Sequence, residues 1–426
     1  MLNTLSRNVL GQIQHKKDLE NLVKMTGEIQ KLQDQIKKQE LKLKSIVTFR
    51  LEGDVITSVC KKQLIKMPQK QHPTILFKKF MEENPTITVR ISLIENLDSF
   101  YMNFLESINK KIAKRVIDLS VVFRDSYITD DNYYKFVNLE RLNLEVPNSN
   151  ICNFSKFKKL KELYLSNINI NNEYDFRVDL SGINPEIEVL SLNNTHVESF
   201  EPVKNAKKVL ISNYRVVLPD EFLPLQNVEE LYFKTLHTSF NIDEFKCTTL
   251  TLIDASIIPP KKNLQNLINL NIYEDRDVSY LDNLGDNIKN ITIYNCVIKE
   301  NYNCLANAEQ LTLCGVEFYN HLVIKAKKLI ITGIIPEYFL NRDYEFLTLN
   351  SDDLPEYLNT KINAKRVDLV SEKCKNFHNI GNIDTLVIYN SIESIICDGE
   401  IQRLIILDKI PDDIKCNNTP KIVKRK

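Results

Sequence analysis

The amino-acid sequence predicts an α/β solenoid: short repeats stacked so that each lays one strand into a shared parallel sheet, behind an α-helical segment. Three observations carry that expectation. One apolar spacing recurs from residue 142 to residue 404. Before residue 113 the apolar residues change to the three- and four-residue spacing of helices. The composition, with 43% hydrophobic residues, a net charge of +0 and no apolar run of bilayer-spanning length, is that of a folded chain outside the membrane.

Residues 1–53 are read as an N-terminal helix. Between 22 and 46 a heptad places Leu22, Ile29, Ile36 and Leu43 at a, and Met25, Leu32, Gln39 and Ile46 at d. Ile at a with Leu at d suits a two-stranded parallel coiled coil, and so a homodimer through residues 18–50. A single amphipathic helix folded back on its own chain fits the same spacing. Residues 54–112 are read as a helical cap, because a solenoid needs its first hydrophobic coil covered. Ile56, Val59, Cys60 and Leu64 form one short face, and Ile75, Leu76, Phe77 and Phe80 a second, between Pro73 and Pro85. Leu97, Phe100, Tyr101, Phe104, Leu105, Ile108 and Ile112 form a third, with Asn96 or Asp98 as its cap.

Residues 113–410 hold the repeats. Aligned on the central apolar residue they read LERLNL (Leu142), LKELYL (Leu163), IEVLSL (Leu190), AKKVLI (Val209), VEELYF (Leu231), CTTLTL (Leu250) and LINLNI (Leu270). The series continues with IKNITI (Ile291), AEQLTL (Leu311), AKKLII (Leu329), YEFLTL (Leu347), AKRVDL (Val367), IDTLVI (Leu386) and IQRLII (Leu404). IAKRVIDLS at 112–120 looks like AKRVDLVS at 364–371 with one residue inserted, a bulged first coil. In each unit the paired apolar side chains share one face of a strand while their neighbours point the other way. Steps of 18 to 20 residues leave too little chain for a return helix of average length, so most returns are expected to be extended or 3₁₀. Residues 411–426 remain as a tail ending KIVKRK.

This pattern resembles the leucine-rich repeat family, L-x-x-L-x-L-x-x-N/C-x-L, over roughly residues 113 to 410. The resemblance implies an arc with its parallel sheet on the concave side. The chain departs from the family where its Asn should stand, three residues past the second apolar residue. Ile168, Thr195, Tyr214, Leu236, Ala255, Asp275 and Cys296 occupy that position in successive units, so no Asn ladder is expected there. Short helices ahead of such repeats are similar to F-box-like substrate adaptors of ubiquitin ligases, although no F-box motif stands here. Intracellular repeats of this class also include regulatory subunits of phosphatases and GTPases.

Nothing in the sequence assembles a catalytic set. The nine cysteines contain no C-x-x-C pair and the six histidines no H-x-x-x-H, and no glycine-rich phosphate loop occurs. Acidic pairs such as Asp275/Asp277, Asp352/Asp353 and Asp412/Asp413 fall in turn-like stretches and read as solvated loops. A non-enzymatic scaffold without cofactor or metal is the expectation. Cysteines without a disulfide rhythm point to an intracellular, cytoplasmic protein, with the basic tail leaving the nucleus open. The outward columns of the sheet are mostly neutral, β-branched and aromatic. That argues against nucleic acid and membrane and for a protein partner. Tyr164, Tyr232, Tyr273, Tyr294 and Tyr389 are the candidate contact residues on the concave face. Tyr and Thr also follow from strand propensity alone.

Overall fold

A computed structural model describes residues 46–52, 55–60, 63–66, 73–94, 104–122, 133–146, 154–167, 177–216, 218–262, 264–275 and 278–424. It divides into two compact units, residues 1–126 with 131–140, and residues 127–130 with 141–426.

In the first unit β1 (Ile46–Glu52) pairs antiparallel with β2 (Val55–Cys60), which pairs antiparallel with β3 (Gln63–Lys66). Helix α1 (Pro73–Glu83) then leads to β4 (Thr88–Ile94), parallel to β1, and β5 (Val116–Val122) lies parallel to β4. The helix is held by rings: Phe77 meets Phe49 edge-on at 5.0 Å and Phe104 at 5.2 Å. Arg115 closes its C-terminal end, donating to the carbonyls of Met81 (2.7 Å), Asn84 and Ile87 (2.8 Å). A cation at this end satisfies orphan carbonyls and opposes the helix dipole. In β5 the register jumps from Val116 to Asp118, so Ile117 is a bulge, where the sequence suggested an inserted residue.

The helical reading of residues 55–66 is corrected here. Residues 55–66 are strands: V-I-T-S-V-C is rich in β-branched residues, and Gly53-Asp54 between β1 and β2 is a two-residue hairpin signal. The second face, around Phe77, is a helix, whereas β4 was not expected. Residues 104–107, within the third face, are helical, and Lys110–Ala113 is a short helix capped by Asn109, whose side chain accepts from Ile112 N at 2.9 Å. The Asn96 or Asp98 cap and the heptad before Ile46 lie outside the described residues. Ile46 itself opens β1, and Phe49 is core, so a deletion of residues 18–50 would dismantle this unit.

In the second unit the central residues of the repeats share one line of register. Leu142 stands opposite Leu163, then Leu190, Val209, Leu231, Leu250, Leu270, Ile291, Leu311, Leu329, Leu347, Val367, Leu386 and Leu404. Every one of these pairings is parallel, and all of these side chains are buried. A further strand, Lys421–Lys424, extends the sheet beyond Ile401–Ile406.

The architecture is a parallel β-solenoid with few helices among the described residues, not the α/β leucine-rich arc that was expected. The reason is room. Returns are single 3₁₀ turns such as Glu201–Val203, Leu223–Asn227 and Ser279–Asn283, and one five-residue helix, Asn303–Asn307. From Tyr357 onward the returns form a second parallel sheet of Tyr357–Thr360, Asn376–Asn379, Ser394–Cys397 and Asp413–Cys416. Between the two sheets Asn379 is fully buried. It accepts from Ile362 N and Thr360 Oγ1 at 2.8 Å and donates to the carbonyls of Ile362 (3.0 Å) and Gly381 (2.8 Å).

One corner of the coil is left-handed throughout its middle. Asn194, Asn213, Thr235, Asp254, Glu274, Asn295, Gly315 and Gly333 have positive φ, each four residues past the central apolar residue. Corner amides continue the ladder: Asn194 N donates to Ser212 O at 2.9 Å, Asn295 N to Cys314 O at 2.8 Å, Gly315 N to Thr332 O at 2.9 Å. Asn and Gly are the residues that tolerate this conformation. The polar corner therefore exists, one residue earlier than the leucine-rich motif places its Asn. After seven of these corners the next residue points inward: Thr195, Tyr214, Leu236, Ala255, Asp275, Cys296 and Val316 are buried, whereas Ile334, after Gly333, is exposed.

Candidate functional site

The outward face of the main sheet is built by alternation: in each strand the apolar pair points in and the residues between and beside it point out. Along the entry side of that face charges alternate from coil to coil. Arg141 pairs with Glu162 (3.5 Å), Lys161 and Lys207 with Glu188 (3.7 and 3.1 Å), and Lys208 with Glu230 (3.0 Å). The alternation resumes with Lys289 and Glu309 (3.5 Å), and with Glu345 and Lys365 (3.3 Å).

The alternation breaks at Thr248 and Ile268, and beside that break and the Lys289–Glu309 pair lies an uncharged window. Thr249, Thr251 and Ile253, then Asn269, Asn271 and Tyr273, then Asn290, Thr292 and Tyr294, then Gln310, Thr312 and Cys314 are the outward residues of four consecutive strands, and none is charged. Amides and hydroxyls replace the ion pairs. Asn290 donates to Asn269 at 2.7 Å, Asn269 to Thr249 at 3.1 Å, and Asn271 to Thr251 at 3.1 Å. At ~3.3 Å per residue and ~4.8 Å per strand this window measures roughly 13 by 14 Å.

Three of the five candidate tyrosines gather at it. Tyr273 and Tyr294 stand in register on neighbouring strands with ring centroids 6.0 Å apart, and Tyr294 is 42% exposed. Tyr232 is half-buried at the window's edge; burial, and then neighbouring Tyr273, push its hydroxyl above the usual range. The other two lie coils away. Tyr164 packs under the Arg141 guanidinium at 4.9 Å and donates to Glu162 Oε2 at 3.1 Å. Tyr389 lies beside Arg366, whose fork grips Asp368 at 2.7 and 3.0 Å.

The window itself was missed in the sequence. The signal was present as two consecutive repeats, CTTLTL and LINLNI, lacking the charged residues that precede the central Leu elsewhere. Asp275, expected in a solvated loop, is instead buried and accepts from Tyr280 Oη at 2.8 Å. Among the described residues no group of three or more His, Cys, Asp or Glu is arranged to hold a metal ion, and no helix is long and apolar enough to cross a membrane. No family model matches the chain, nor does any curated protein. The likeness to leucine-rich repeats therefore rests on the apolar spacing alone.

Proposed function

We propose that the protein is a non-enzymatic binding scaffold whose uncharged window, centred on Tyr273 and Tyr294, docks a protein partner. The observation that carries this reading is the uncharged outward face shared by four consecutive strands, on which those two rings stand 6.0 Å apart. Interface cores are depleted in charge and enriched in tyrosine. Rigid rings with a polar tip bury area at little entropic cost. A window of this size is a hot-spot centre and not a whole footprint, since a standard interface takes about 800 Å² per partner.

The double variant Tyr273→Ala/Tyr294→Ala tests it. Affinity for a partner identified by cross-linking in the native source should fall by about 30-fold, ~2 kcal/mol. The unfolding midpoint should barely move, because neither ring points into the coil. Unchanged affinity would remove the window from the interface.

A further inference from the structure

Two cysteines face each other across the second sheet. Cys397, in Ser394–Cys397, stands directly opposite Cys416, in Asp413–Cys416, and among the described registers they are the one such pair. Both occupy the inward-facing side of their strands, with Ile395 and Ile414, while exposed Lys415 points the other way. Paired parallel strands hold their Cα atoms ~4.8 Å apart, inside the ~4.4–6.8 Å span a disulfide bridges. Cys397 is 2% exposed and Cys416 is half-exposed, and both are free thiols. The coil they would close is thinly covered: Ile422, at the inward position of the last strand, is 45% exposed.

We propose that Cys397 and Cys416 form a redox clasp, a disulfide made on oxidation by a peroxide that staples two successive coils. The Cys416 thiolate, the more accessible, attacks one peroxide oxygen. The O–O bond breaks and the departing hydroxide takes a proton to become water, leaving a sulfenic acid on Cys416. The Cys397 thiolate then attacks that sulfur, the S–O bond breaks, and a second water leaves. Two thiols and one peroxide become one disulfide and two waters.

Burial, and then the nearby Cys397, push the Cys416 thiol up to about 11. Thiolate is therefore scarce at neutral pH and the clasp closes slowly there. Its rate should climb roughly tenfold per pH unit from 7 to 9.

The test uses the full chain, reduced, then exposed to hydrogen peroxide, quenched with iodoacetamide and mapped by peptide mass spectrometry without reductant. A linked peptide pair containing Cys397 and Cys416 is expected, with a thermal midpoint about 4 °C above that of the reduced protein. Cys416→Ser, at a half-exposed position, should lose both the linked peptide and the shift. Oxidation of Cys416 to sulfinic acid without a linked peptide would overturn the clasp. So would linkage between two chains, or a linked pair that leaves the midpoint where it was.

Discussion

Thr235 is the most strained residue of the left-handed corner. A β-branched side chain at φ 50 is a conformation that asparagine tolerates better and glycine adopts freely. Thr235→Gly should therefore stabilise the protein by about 1 kcal/mol, read as a higher urea midpoint with unchanged slope. The reverse change at the same corner should fail. Gly315 has φ +60, and a Cβ there would run into the Asn295 side-chain oxygen. Gly315→Val should lower stability by at least ~2 kcal/mol. A neutral outcome for both would mean that the corner is not left-handed in solution. Asn at this corner was legible in repeats such as SLNN and TIYN, but only the backbone shows that position four, not five, carries the turn.

At the scale of the element, a coil is told which neighbours it has by the charges on its entry edge. Glu188 lies between Lys161 and Lys207, so each neighbouring coil presents the opposite sign. Glu188→Lys would set three like charges in a row and should lower the unfolding midpoint at low ionic strength. The deficit should narrow near 1 M salt, where the screening length is ~3 Å. An identical deficit at both salt levels would show that charge is not the cause. The same carboxylate gives a pH signature. The Lys207 side chain, first, and Lys161 hold Glu188 below its ordinary value of 4.5. Its contribution is present above that value and is lost as pH falls through the depressed folded value. The midpoint difference between wild type and Glu188→Gln should accordingly shrink as pH falls below 4.5.

For the molecule as a whole the consequence of stacking is that no repeat stands alone. A coil buries Leu250 and Leu252, or Leu270 and Ile272, only because a neighbour continues the sheet on either side. Cutting the chain after Asn263, between the Leu250 and Leu270 strands, should expose an apolar coil end and an unpaired strand on both fragments. Sedimentation should then find aggregates. Two soluble monomers, each with its own cooperative transition, would count against a single solenoid in residues 141–424.

The sequence by itself determined the repeat and its phase. L-x-L alternation at a maintained step leaves one way to bury the apolar pair, which is why Leu142 through Leu404 fall on one line of register. It also determined that the returns are short, since steps of 18 to 20 residues hold no full helix. It did not determine the first unit. Ile56, Val59 and Cys60 satisfy helical spacing as well as a strand does, and the pairing of Ile46–Glu52 with two other strands is long-range information. The window at Tyr273 and Tyr294 also required the tertiary structure. Its twelve residues are spread over four repeats. Only the parallel register, set by backbone hydrogen bonds between coils about twenty residues apart, makes them one surface.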